Sequence, residues 1–217
     1  METLTIHNWH YGCFPEIQTY LLSAAALIKL IKLQRYGFAT PYPENDANIP
    51  MDASGARKVL TFTVGSLVNQ WMNANNGAER VAALEFLVAD GKVERTLHSV
   101  QANDYDRIQC SSLIISYREK TKPILIELFP KSHSTIDFLR AMRDIFAHGG
   151  RYQGKACPVW RGIDFSELKK GDEVHPQYFS SGDAILLMHD IDQLIGTKWD
   201  SKSESEQIEI VRRLDGL

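Results

Sequence analysis

Ser134-Thr135-Ile136-Asp137-Phe138-Leu139-Arg140-Ala141-Met142-Arg143-Asp144-Ile145-Phe146-Ala147-His148-Gly149-Gly150 is the stretch that decides how this chain folds. Phe138, Leu139, Met142, Ile145 and Phe146 recur at steps of three and four, which places them on one face of a helix. Ser134-Thr135-Ile136-Asp137 has the spacing of a capping box, where a hydroxyl and a carboxylate satisfy the first free N–H groups. Gly149-Gly150 supplies the stop, because glycine enters the left-handed backbone of a helix end without steric cost. The spacing predicts a helix closed at both ends.

Working outward, the elements on either side also favour helix. Downstream, Cys157 to Phe165 and Glu173 to Phe179 predict a loop with a small β-hairpin. Ser180-Ser181-Gly182-Asp183 then caps a further helix whose stripe is Leu187, Met188, Ile191, Leu194 and Ile195, and a short charged helix closes the chain from Glu204 to Leu214. Upstream, Leu113 to Tyr117 and Ile124 to Phe129 are short apolar runs that suit strands or buried helical turns equally. Their helical neighbours, and Pro123 at a place that suits a first turn, favour helix.

Towards the N-terminus, Ile17, Tyr20, Leu21, Ala24, Leu27, Ile28 and Ile31 predict a helix over Pro15 to Tyr36. Gly37 to Ser54, rich in Pro, Asn and Asp, predicts a loop. Two more helices follow by the same spacing, Gly55 to Asn73 (Leu60, Val64, Leu67, Val68, Trp71) and Ala78 to Ala89 (Val81, Leu84, Leu87, Val88). The expectation is an all-α helical bundle with a loop or small hairpin before its last long helix. Its parts are an N-terminal extension over 1–14, a helical domain over 15–196 and a tail over 197–217.

Composition limits the class. The chain has 217 residues, 44% hydrophobic and 24% charged, enough for one buried core and too apolar for a disordered tail. Cys13, Cys110 and Cys157 are scattered and form no CxxC pair, and the N-terminus has neither the basic residues nor the apolar core of a signal peptide. A reduced, cytoplasmic protein is expected. The apolar run from Ile17 to Leu33 is interrupted by Lys29 and Lys32, so no membrane segment is expected. Net charge is −3, yet the window 140–170 holds seven basic residues against three acids. A basic surface on an acidic protein follows.

That window carries the chemistry. An Arg that never loses its charge can hold a phosphate or stabilise a developing dianion, and a His titrating near neutrality can pass a proton. Arg143 and His148 together suffice to cleave RNA without a metal ion or cofactor, the one stabilising a phosphorane, the other moving the 2′-hydroxyl proton. Asp144, four residues before His148, stands where it can fix the imidazole's tautomer. Arg140, Arg151 and Lys155 are the expected contacts to the RNA backbone. His7, His10 and Cys13 have a ligand-like spacing, but no second ligand pair follows, so no zinc site is expected. No phosphate-binding glycine loop occurs.

Arg143-Asp144-x-x-x-His148, closing a helix before glycine, resembles the signature of the HEPN superfamily, the higher eukaryote and prokaryote nucleotide-binding domains. The resemblance implies an α-helical bundle, commonly a homodimer. It also implies a metal-independent endoribonuclease of toxin–antitoxin, phage-defence or RNA-processing systems, with Arg143 and His148 catalytic and an antitoxin or nucleotidyltransferase as partner. It equally admits a catalytically inactive module that dimerises or binds a partner or nucleotide. One toxin subgroup continues His-x-Tyr, the Tyr being the target of its nucleotidyltransferase. Here that position is Gly150, and the nearest tyrosine is Tyr152. At about 100° per residue, Arg143 and His148 point roughly 140° apart on a regular helix, so a shared site needs an unwound last turn or a second protomer.

Overall fold

A computed structural model describes residues 2–7, 17–21, 48–53, 55–63, 83–91 and 100–215. Helices dominate: α1 (Val100–Leu128), α2 (Ser134–Ala147), α3 (Ser181–Asp200) and α4 (Glu204–Asp215), with a helical turn at residues 17–21. The all-α expectation is nevertheless corrected, because an antiparallel sheet of four strands accompanies them. Its strands are β1 (Glu2–His7), β2 (Asn48–Ala53), β3 (Lys58–Thr63) and β4 (Ala83–Asp90), in the order β1-β4-β3-β2. The stretch expected as an N-terminal extension thus contributes β1, which pairs with β4 from Glu2↔Val88 to His7↔Ala83.

The physical reason for the miss is that period two and period 3.6 overlap in short runs. In β4 the buried residues are Leu84, Phe86 and Val88, while Glu85 and Leu87 face solvent, Leu87 being 46% exposed. A helical stripe requires Leu87 inside and leaves out Phe86; the strand does the reverse. In β3, Leu60 and Phe62 are buried by the same alternation, and Phe62 packs on Phe86 with ring centroids 5.4 Å apart. The turn-rich stretch before Ser54 contains β2, an edge strand among the described residues, a place where Pro50 is tolerated. The helix expected over Pro15 to Tyr36 is described only at 17–21, which is helical. The remainder of it, the loop over 37–47 and the segment 64–82 lie outside the described residues.

The sheet's buried face meets α3, which packs against β2 and β3. The join is specific. Asp183, the third residue of α3, completes a capping box with Ser180 and also accepts from the backbone N–H groups of Gly55 and Ala56 at 3.1 and 2.9 Å. Gly55 has no room for a side chain, because a Cβ there would collide with the Tyr178 carbonyl and Ile163. On its other side α3 packs on α1, where the buried Tyr117 hydroxyl donates to Asp192 Oδ1 at 2.6 Å.

The run 105–128 is helical, as its neighbours implied, but Pro123 lies inside α1 rather than at its first turn. α2 begins one residue earlier than its capping-box spacing suggests. His133 is the N-cap with no side-chain bond, and Asp137 is spent on Ser132 and on Arg140. The rest of α2 follows its pattern, with Phe138, Leu139, Met142, Ile145 and Phe146 all buried. Phe138 meets Trp160, Phe165 and Phe179 at centroid distances of 5.3, 5.9 and 6.2 Å, which pins the loop between α2 and α3 to the core. The expected hairpin in that loop is reduced to a tight Trp160–Ile163 turn and one bridge between Arg151 and Glu173.

Candidate active site

Because α2 turns its apolar stripe inward, its polar flank is presented to an open cleft of about 560 Å³. Arg140, Arg143 and Asp144 line it from α2, and Arg118, Glu119 and Lys122 line it from α1. Tyr152, Gln153 and Lys155 close it from the following loop.

The charges in the cleft are nearly paired off. Asp137 Oδ1 meets Arg140 at 2.6 Å, Glu119 Oε1 meets Arg143 at 3.1 Å, and Asp144 Oδ2 meets Lys155 at 2.7 Å. Among the described residues two lining cations are left over, Lys122, which is exposed, and Arg118, which is buried, so the cleft is net positive. The hydrogen bond from Lys155 holds the Asp144 carboxyl below its usual value, against the effect of burial, and the charges of His148 and Arg143 add to it. Asp144 is ionised at neutral pH.

His148 ends α2. The N–H of Gly149 reaches the Phe146 carbonyl at 3.1 Å and that of Gly150 reaches Ile145 at 3.0 Å, which together form a Schellman motif with Gly149 at φ +75°. The last turn is therefore capped, not unwound. The imidazole folds back so that Nδ1 lies 2.7 Å from the main-chain oxygen of Asp144. A carbonyl only accepts, so Nδ1 donates, and in the neutral ring Nε2 carries the lone pair. The tautomer is set by the Asp144 backbone; its carboxylate oxygen is 3.8 Å away.

Among the residues expected from sequence, Arg140, Arg143, Asp144 and Lys155 converge on the cleft. His148 stands beyond its lining, at the exposed helix end. Arg151 points elsewhere, donating to the Gly171 carbonyl and to Glu173 Oε1, both at 2.9 Å. Glu119, Lys122 and Arg118 were missed. For Arg118 a signal existed: Ile114, Tyr117, Arg118, Thr121 and Leu125 follow helical spacing, which puts a guanidinium on the buried stripe of α1.

Among the described residues no group of His, Cys, Asp and Glu could hold a metal ion, and no helix is long and apolar enough to cross a membrane. Compared with protein-family models, with curated proteins and with solved structures, the chain finds no match in any of the three.

Proposed function

We propose that this chain is a metal-independent endoribonuclease of HEPN type, cutting RNA by attack of the 2′-hydroxyl to leave a 2′,3′-cyclic phosphate. The observation that carries this is the His148 tautomer. With Nδ1 donating to the Asp144 carbonyl, Nε2 is free to take the 2′-hydroxyl proton. The resulting alkoxide attacks phosphorus, and the 5′-oxygen departs with a proton from a second imidazolium. Arg143 meets the negative charge that builds on the phosphorane. Since the last turn is capped and His148 stands beyond the cleft that Arg143 lines, the second imidazole comes from a two-fold partner, which makes the active species a homodimer. A cytoplasmic toxin or defence effector, held in check by an antitoxin or nucleotidyltransferase, is the role this chemistry suits.

One observation favours a second assignment, a catalytically silent helical module. Glu119 already neutralises Arg143. The two are separated by incubating purified protein with single-stranded RNA and looking for 2′,3′-cyclic phosphate ends. Product lost in both His148→Ala and Arg143→Ala, with folding intact, supports the ribonuclease. No product from the unaltered protein at any concentration leaves the module.

A further inference from the structure

Among the described residues lining the cleft, Arg118 is the cation that is both buried and incompletely bonded. It is 9% exposed, and its Nη1, itself out of contact with solvent, has no hydrogen-bond partner among the described residues. An arginine stays charged at every pH a folded protein meets. A buried guanidinium with an empty donor is costly unless an anion fills it, and its planar fork matches the paired oxygens of a phosphate or a carboxylate. In a cleft of net positive charge whose acids already pair with Arg140, Arg143 and Lys155, an incoming phosphate is the fit. The surroundings agree: burial and the charges of Arg140 and Arg143 all disfavour the guanidinium's own charge, with Glu119 opposing them.

We propose that Arg118 is the phosphate anchor of this cleft, holding one backbone phosphate of a single-stranded RNA. The identity of the ligand rests on the ribonuclease assignment; the anion chemistry does not. Arg140 and Arg143 stand beside it, each already balanced by an acid, so the arriving charge is matched chiefly by Arg118. Lys122, one helical turn further along α1 and open to solvent, receives the neighbouring phosphate. The anchor holds substrate and moves no proton, which separates it from His148.

The test uses a labelled 2′-O-methyl oligonucleotide, which cannot be cut because its nucleophile is blocked, with binding read by fluorescence anisotropy across a salt series. Arg118→Met is expected to bind about tenfold more weakly and to lower the slope of log K against log salt by about one. Arg118→Lys should recover part of the loss. The melting temperature of Arg118→Met should equal or exceed that of the unaltered protein, because an unfilled buried charge has been replaced by an apolar chain of similar length. Unchanged binding overturns the anchor. So does a variant that melts lower or does not fold, since Arg118 would then serve the protein itself. Adenosine 5′-monophosphate binding as tightly as the oligonucleotide would overturn RNA as the source of the phosphate. His148→Ala separates the two claims: loss of cleavage is expected, and if it still cleaves RNA, the role given to His148 falls while the anchor stands.

Discussion

Arg143 and Glu119 are joined across the cleft by two contacts to a single oxygen: Nε and Nη2 of the arginine both lie 3.1 Å from Oε1. The arrangement spends the guanidinium's fork on a carboxylate, so a phosphate must compete with Glu119 to reach it. Glu119→Gln keeps a hydrogen-bond acceptor and removes the competing charge. An exposed pair of this kind is worth about 0.5–1 kcal/mol, so the substitution should tighten RNA binding roughly three- to fivefold. Anisotropy titration at low salt checks it. Unchanged or weaker binding would show that RNA does not contact Arg143.

The two loop cations should behave differently. Lys155 lines the cleft, whereas Arg151 is turned towards Glu173 and the Gly171 carbonyl. Lys155→Gln should weaken RNA binding and flatten the salt dependence by about one phosphate contact, while the melting temperature hardly moves, since exposed ion pairs contribute about 0–1 kcal/mol. Arg151→Gln should leave the affinity close to that of the unaltered protein. A reversed order of losses would place the RNA on the far side of the loop.

Gly149 fixes where His148 points. With φ at +75° and open space where a Cβ would sit, the cost of a side chain there is conformational rather than steric crowding. Gly149→Ala should lower stability by about 1–2 kcal/mol, and Gly149→Asn by less, because asparagine tolerates the left-handed region. Chemical denaturation measures both. Equal losses for the two would argue that the Schellman cap is not what sets this position.

How far the sequence could be followed depended on the length of each pattern. α2 and α3 are long enough for several periods, and each has a glycine or a capping box at an end, so spacing alone identified them. The strands are six to eight residues long. Over that length Leu84 and Val88 satisfy a helix and a strand at once, and only Phe86 and Leu87 discriminate. Within the site, the basic window led to Arg140, Arg143 and Lys155, which are local to α2 and its loop. Glu119 and Arg118 arrive from α1, and nothing in sequence spacing says that α1 faces this flank of α2. Pairing across helices is a tertiary fact. Arg151 shows the converse, a charge in the right window whose partner Glu173 lies 22 residues on.

The join between helix layer and sheet should be sensitive to pH through Asp183. Burial pushes its carboxyl up to about 6, against the opposing hydrogen bonds from Ala56, Gly55 and Ser180. In the unfolded chain the same group titrates near 3.8. Between those values the folded protein holds a proton that the unfolded chain releases, so this group's contribution is fully present below about 4 and is lost as pH rises through about 6. The size is about 3 kcal/mol, or roughly 6–12 °C of melting temperature for a chain of this length. Asp190 runs the other way. Burial raises it, but bonds from Arg161, His189 and Trp160 outweigh that and bring it to about 2, so its contribution disappears only under strong acid. Between pH 7 and 4 Asp183 is therefore the group to watch. Asp183→Asn cannot titrate and removes this dependence. The melting temperature of the unaltered protein minus that of Asp183→Asn should climb as pH falls from 7 to 4 and then level off. A difference that stays flat across this range would mean that Asp183 is ionised throughout, its charge fully met by the backbone N–H groups it accepts.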